Sequence, residues 1–228
     1  MTRHHDPEKR KQDFLNTALE LFNTRGYEKT TVNDIIKAMG VSKGAFYHYF
    51  QSKEDVIEQI SENYADHVLR VLGQIAHRTD LNAVEKLNVM IATIQGHKTG
   101  TKEQRSKIKK VFKEDDNLKL ERKILTKLRA KMLIITKTFI TEGIENKLFR
   151  SCDAHELSEF LIFALNSLDT SAEELVNTEM VKNPPDLKEL RGRLVKKLDY
   201  YEEIINEVLK LSPGTVVIKE PYLNRFLG

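Results

Sequence analysis

Residues Thr30 to Lys53 read TTVNDIIKAMGVSKGAFYHYFQSK, and this stretch decides the fold. Thr31 stands three residues before Asp34, the register of a capping box, and opens a helix whose buried side is Ile35, Ile36 and Met39. Gly40 supplies the left-handed residue that ends this helix. Val41 follows as a small apolar plug for the turn, and Ser42 caps the next helix. There Phe46 and Phe50 fall four apart on one face, while Lys43, Tyr47 and His48 fall on another. Gly44 costs about 1 kcal/mol against alanine inside a helix; a close approach of the backbone to a phosphate or base edge would account for it. Ser52 and Asp55 form a further capping box, and a long helix begins. Two short helices around a tight turn, ahead of a longer helical region, read as a helix-turn-helix and point to DNA binding.

The blander alternative is a helical hairpin with a wet face, since aromatics such as Tyr47 and Tyr49 serve packing more often than contact. What favours DNA is the joint occurrence of glycine turn, caps and a two-faced aromatic helix at one spacing. Charge placement agrees. Residues 1–53 hold nine Lys/Arg against six Asp/Glu, an excess of three, and the remaining 175 residues hold 28 of each. The whole formal excess of +3 therefore lies on the segment where phosphate attraction needs it.

Every strong periodic signal along the chain is helical. Asp6, Pro7 and Glu8 give an N-cap, a first-turn proline and an acid for the helix dipole, opening a helix to about Arg25. Lys9, Arg10 and Lys11 in its first turns are either solvated or reach a DNA backbone. The helix after Ser52 continues through Val56, Ile60, Tyr64, Val68, Leu72 and Ile75, and at about 25 residues spans roughly 37 Å. Asn82 opens a helix carrying Leu87, Met90, Ile91 and Ile94. Thr101 with Gln104 caps one holding Ile108, Val111 and Phe112. After the acidic turn Glu114-Asp115-Asp116 a long helix runs from Leu118, through Ile124 and Leu125, to Glu145. Asp153 and Glu156 open the next, Asp186 and Glu189 the last long one, stopped by Pro213-Gly214. The tail TVVIKEPYLNRFLG, residues 215–228, stays unassigned, with extended backbone one possibility.

The residues Phe14, Ala18, Leu21, Phe22, Gly26-Tyr27, Thr30-Thr31, Ile35, Ala38 to Ser42, Gly44, Phe46 to Phe50 and Lys53-Glu54-Asp55 carry a resemblance. The first 60 or so residues resemble the DNA-binding domain of the TetR family of one-component repressors; beyond them only the all-helical layout is similar. The resemblance implies an all-α protein: a three-helix helix-turn-helix domain over residues 1–53, then a helical ligand-binding and dimerisation domain over 54–228, linked by the helix from about 53 to 77. It implies a homodimer on a pseudo-palindromic double-stranded DNA operator, with Lys43, Tyr47 and His48 near bases or phosphates, Thr31, Tyr49 and Lys53 anchoring the backbone, and Ser42 and Gly44 also among the DNA-binding residues. A small-molecule effector would then shift the linking helix and release the DNA. The resemblance also places the last two long helices of each subunit in a four-helix dimer bundle. The stripe Leu187, Leu190, Leu194, Leu198, Tyr201 and Ile205 suits that seam, the alternative being packing within one subunit.

An effector pocket needs apolar walls with a few polar groups. Met90 and Thr93, Thr136 and Phe139, and Phe163 and Asn166 supply such sets from three helices, although each polar residue can equally be an ordinary core residue. The same composition disfavours other classes. The longest apolar run, Phe160 to Leu165, is far short of a membrane span. MTRHHDPEKR has no apolar segment of the secretory kind. A single cysteine, Cys152, read as an apolar filler, fits a reducing compartment, so the cytoplasm is expected. The seven histidines, His4, His5, His48, His67, His77, His97 and His155, form no i, i+4 pair, and no metal or cofactor is expected. No phosphate-cradling loop, nucleophile elbow or dinucleotide fingerprint appears, so an enzyme is not expected. The alternatives kept are a DNA binder without small-molecule sensing and, more remotely, an enzyme using the C-terminal cavity. Lys98 to Lys113, with seven basic residues and one acid, reads as a solvated amphipathic helix or as a contact for an anion.

Overall fold

The computed structural model describes residues 6–112 and 118–228. His4, His5 and the acidic turn at 114–116 lie outside the described residues, as do the side chains of Tyr64, His67, Gln104, Phe112, Leu118 and Ile124. Among the described residues the fold is all-α: α1 (Pro7–Arg25), α2 (Val32–Met39), α3 (Lys43–Tyr47), α4 (Lys53–Ala76), α5 (Ala83–Gly100), α6 (Lys102–Phe112), α7 (Leu118–Glu145), α8 (Ala154–Met180), α9 (Leu187–Leu209) and α10 (Lys219–Leu227). None of these helices is long and apolar enough to cross a membrane.

Local chemistry sets most helix ends. The Asp6 carboxylate accepts from the Glu8 N–H at 3.1 Å, with Pro7 just inside α1. Asp153 accepts from the His155 and Glu156 N–H groups at 2.7 and 3.1 Å, and Asp186 from the Glu189 N–H at 2.8 Å. Each satisfies amide donors that a helix start leaves unpaired.

The chain divides into two compact units, Met1–His67 with Thr101–Leu128, and Val68–Gly100 with Arg129–Gly228. The division expected at residue 53 thus moves to within α4, and α6 joins the N-terminal unit. Apolar burial explains this. Ile108 and Val111 of α6 pack into the cluster built by Phe14, Phe22, Ile35, Phe46, Phe50 and Ile57. Ile108 and Val111 thus form the buried side of α6, while Lys107 holds Glu20 of α1 at 2.7 Å.

The second unit has its own core, including Leu72, Leu87, Met90, Phe139, Leu161, Leu168, Leu194, Leu198, Val216 and Tyr222. Here α8 pairs with α9, and α10 packs on α5 and α9. Lys86 of α5, its side chain 4% exposed, is neutralised by Glu142 of α7, as a buried ammonium must be.

Several expectations are corrected. Leu190, Leu194, Leu198 and Ile205 are at most 1% exposed within a single chain, and Leu194, Leu198 and Ile205 belong to this core, so these side chains are not left at the surface for a second copy. Tyr201 is half-buried and Leu187 exposed. Conversely the apolar run on α8 is not buried all round, since Phe160 and Phe163 stand exposed. The last long helix stops at Lys210 in the left-handed region, φ 58°, three residues before Pro213. The tail is helical from Lys219 and not extended. Cys152 is exposed and fills no core.

Candidate nucleic-acid interface

The turn between α2 and α3 is built by local bonds. Thr31 Oγ1 accepts from the Asp34 N–H at 3.2 Å, and the Asp34 carboxylate accepts from the Thr31 N–H at 2.8 Å and its hydroxyl at 2.6 Å. These bonds from Thr31 hold the Asp34 carboxyl below the usual carboxylate range. Gly40, at φ 61° and ψ 37°, directs its N–H to Lys37 O, and Val41 N–H returns to Ile36 O at 3.3 Å. A residue with a Cβ is strained in that conformation, so glycine suits it. Ser42 Oγ then accepts from the Ala45 N–H at 3.3 Å and starts α3.

The five-residue α3 is two-faced. Its inner side is Phe46, 0% exposed, followed by Phe50 at 1%. Phe14 of α1 is the pivot beneath it, its ring 5.9 Å from Phe46 and 5.8 Å from Phe50 at steep angles, the favourable edge-to-face geometry. Fixing α3 from below by three rings leaves its outer side, Lys43, Gly44, Tyr47 and His48, exposed together with Ser42. Tyr47 is 49% exposed, an aromatic ring left half in water, and Lys43 Nζ lies 5.8 Å from its centre. At Gly44 an added Cβ would meet only Ser42 Oγ, at 4.0 Å. The fold itself has room for a side chain there, so the helix-weakening glycine leaves backbone bare on the solvent side.

The remaining sequence candidates sit differently. Thr31 is exposed but its hydroxyl is engaged as the α2 cap. Tyr49 is half-buried with its ring 5.8 Å from Phe14, so much of it is packing. Lys53 donates from Nζ to Tyr27 O at 2.8 Å and lies 4.0 Å from the centre of the Tyr27 ring. Tyr27 was missed as its partner, because a main-chain acceptor 26 residues away leaves no sequence signal. Burial, reinforced by Glu54 and Glu28, pushes the Tyr27 phenol well above its ordinary range, so it stays neutral.

Residues 14–60 match the model of bacterial regulatory proteins, tetR family. That segment is similar to the DNA-binding domain of the tetR family. The match runs from Phe14 within α1 through α2 and α3 to the first turns of α4. Among relatives, the HTH-type transcriptional repressor KstR2 of Mycolicibacterium smegmatis is 35% identical over 81 residues, which is 36% of this chain and 39% of that repressor. The chain thus spans between about three tenths and two fifths of the length of the curated relatives it matches. Over most of its length the fold is that of TetR-type structures. A putative TetR-family regulator from Syntrophomonas wolfei gives a TM-score of 0.58 at 19% identity, covering 90% of this chain and 93% of that one. The regulator FadR of Bacillus subtilis, solved with stearoyl-CoA, gives 0.56 at 20% identity over 90% and 99%.

The expected effector residues do not form one set. Met90, Thr136 and Phe139 are buried, with Thr136 Oγ1 turned to Met90 Sδ at 3.9 Å, and Thr93 is half-buried. Phe163 and Asn166 are exposed on α8, and Phe163 is covered by the Arg129 guanidinium at 4.5 Å from its ring centre.

Proposed function

We propose that this protein is a homodimeric transcriptional repressor that binds a pseudo-palindromic DNA operator and is released by a small-molecule effector. The observation that carries the reading is the outer face of α3: a cation, a bare backbone, a half-exposed tyrosine and a histidine held on a base of buried rings. In a major groove Lys43 and His48 meet phosphate or base acceptors, Tyr47 packs on base or sugar, and Gly44 lets the backbone come close. Thr31, Ser42, Tyr49 and Lys53 anchor phosphates around it. Two copies double the contact, and two-fold symmetry in the protein asks for two-fold symmetry in the operator.

With the α9 leucines spent inside one chain, the second copy is proposed to meet the apolar side chains that α8 and α9 leave at the surface, Phe160, Phe163, Leu187 and Tyr200. The effector is proposed to enter the second unit near Met90, Thr93, Thr136 and Phe139. The FadR complex with stearoyl-CoA supports a ligand-taking helical unit in this fold, without carrying its ligand over to this chain. Because α4 contributes residues to both units, an effector that prefers the non-binding state acts through it, and releases DNA to the extent of that preference.

The test is selection of duplexes from a random pool, followed by titration of the enriched sequence. Enrichment of a palindromic site bound by two chains supports the reading; a pool that stays random after repeated selection contradicts it.

A further inference from the structure

The C-terminal segment is held by three side chains in turn. Asn206, 1% exposed, accepts from the Val216 N–H at 2.8 Å and donates to Val216 O at 3.1 Å. Asn88 does the same for Val217 N–H and Thr215 O, both at 2.9 Å. Glu202 accepts from the Ile218 and Lys219 N–H groups at 2.8 and 3.1 Å and so caps α10 from another helix. Beyond these clamps α10 inserts Tyr222, 1% exposed, whose hydroxyl donates to Leu165 O at 3.3 Å.

Its deepest charge is Arg225, with a side chain 4% exposed. The guanidinium donates to Gln95 Oε1 of α5 at 2.7 Å and to the carboxylates of Asp169 and Glu173 of α8, and lies 4.4 Å from the centre of the Phe226 ring. Lys98 of α5 reaches the other Asp169 oxygen at 2.7 Å. Two cations thus face two carboxylates, and one guanidinium joins α5 to α8.

A helix of nine residues does not hold itself together in water, so α10 keeps its form only while seated. Emptying the seat withdraws one of the two cations that face these carboxylates, and a sheltered carboxylate that loses a cation is disfavoured. What the seat recognises is the planar fork of N–H donors, which an ammonium does not reproduce.

We propose that α10 is a releasable strap whose seat is a guanidinium site: a small molecule presenting a guanidinium or amidinium group on a flat apolar body displaces Arg225 and frees residues 219–227. The fork meets Asp169, Glu173 and Gln95, and the flat body takes the space of the Phe226 and Tyr222 rings. Releasing the strap leaves α5 and α8 joined through Lys98 and Asp169. The proposal stands apart from DNA binding, since its readout is the seating of α10.

Hydrogen exchange of the full-length protein tests it, with benzamidine as the probe. Benzamidine is expected to raise exchange at residues 219–227 by about tenfold, as local opening becomes favourable, while tetramethylammonium chloride at the same concentration leaves it unchanged. Arg225→Gln is expected to raise it similarly without ligand. Lys219→Gln, which removes only the exposed pair with Asp199, leaves α10 seated. Unchanged exchange with benzamidine overturns the guanidinium site, and wild-type exchange in Arg225→Gln overturns the latch. If Arg225→Gln does not fold, the wild-type protein with benzamidine decides alone.

Discussion

The Lys53 ammonium donates to the main-chain oxygen of Tyr27 at 2.8 Å while lying over that residue's ring. One cation therefore ties the start of α4 to the segment between α1 and α2. A hydrogen bond from a charged group and a cation–π contact at a partly exposed site together contribute on the order of 1–3 kcal/mol. Lys53→Ala is accordingly expected to lower the stability of the N-terminal unit, seen as an earlier thermal transition. If Lys53 also meets a phosphate, the same variant lowers the salt slope of operator binding by about 1. An unshifted transition would show that the Tyr27 contact contributes nothing.

The Thr31–Asp34 box gives a pH dependence of known sign. Hydrogen bonds from Thr31 depress the Asp34 pKa, so its stabilising effect is present above the unfolded value, about 4, and is lost as pH falls through the lower folded value. Asp34→Asn is expected to be less stable than wild type at neutral pH, the difference narrowing below about pH 4. Denaturant titrations at several pH values check this. A difference independent of pH would mean that the carboxylate charge is immaterial.

On α9, Leu194→Glu puts a carboxylate where the side chain is 0% exposed in a single chain. The expected outcome is loss of the fold, at a cost of several kcal/mol, seen as lost helicity by circular dichroism. Phe163→Glu, at an exposed position, is expected to stay folded and to sediment as a monomer. A folded, monomeric Leu194→Glu would return the interface to the α9 leucines.

Asn206 clamps both main-chain polar groups of Val216. Asn206→Ala leaves them buried and unpaired, a loss of about 1–3 kcal/mol, and hydrogen exchange is expected to rise first at residues 215–227. Uniform acceleration throughout the second unit would contradict a local clamp.

The helix-turn-helix was legible because its instructions are short-range. Thr31 acts on Asp34, Gly40 on the turn after its own helix, and Ser42 on Ala45, all within three or four residues. The tail was not legible for the converse reason. The cap of α10 is Glu202, 16 residues before Ile218, and Asn88 acts across 127 and 129 residues. The spacing of Leu190, Leu194 and Leu198 told that they are buried but not against what, because a stripe reads alike whether its partner is the same chain or a second one. Thr136, Met90 and Phe139 come together, whereas Phe163 and Asn166 face away, since composition alone does not orient a residue on an amphipathic helix. The Arg225 seat draws on α5, α8 and α10: Asp169 and Glu173 lie one turn apart on α8, but Arg225 is 56 and 52 residues from them, too far to read as a motif.

The central claim is that the outer face of α3 binds DNA. Its most direct measurement is a fluorescence anisotropy titration of the selected duplex with wild type and with the double variant Lys43→Ala, Tyr47→Ala. Both side chains are exposed, so helicity and thermal stability should match wild type. Groove contacts contribute about 1–3 kcal/mol each, so the expected result is an affinity loss of about a hundredfold or more. A folded double variant that binds the duplex as tightly as wild type would contradict the account.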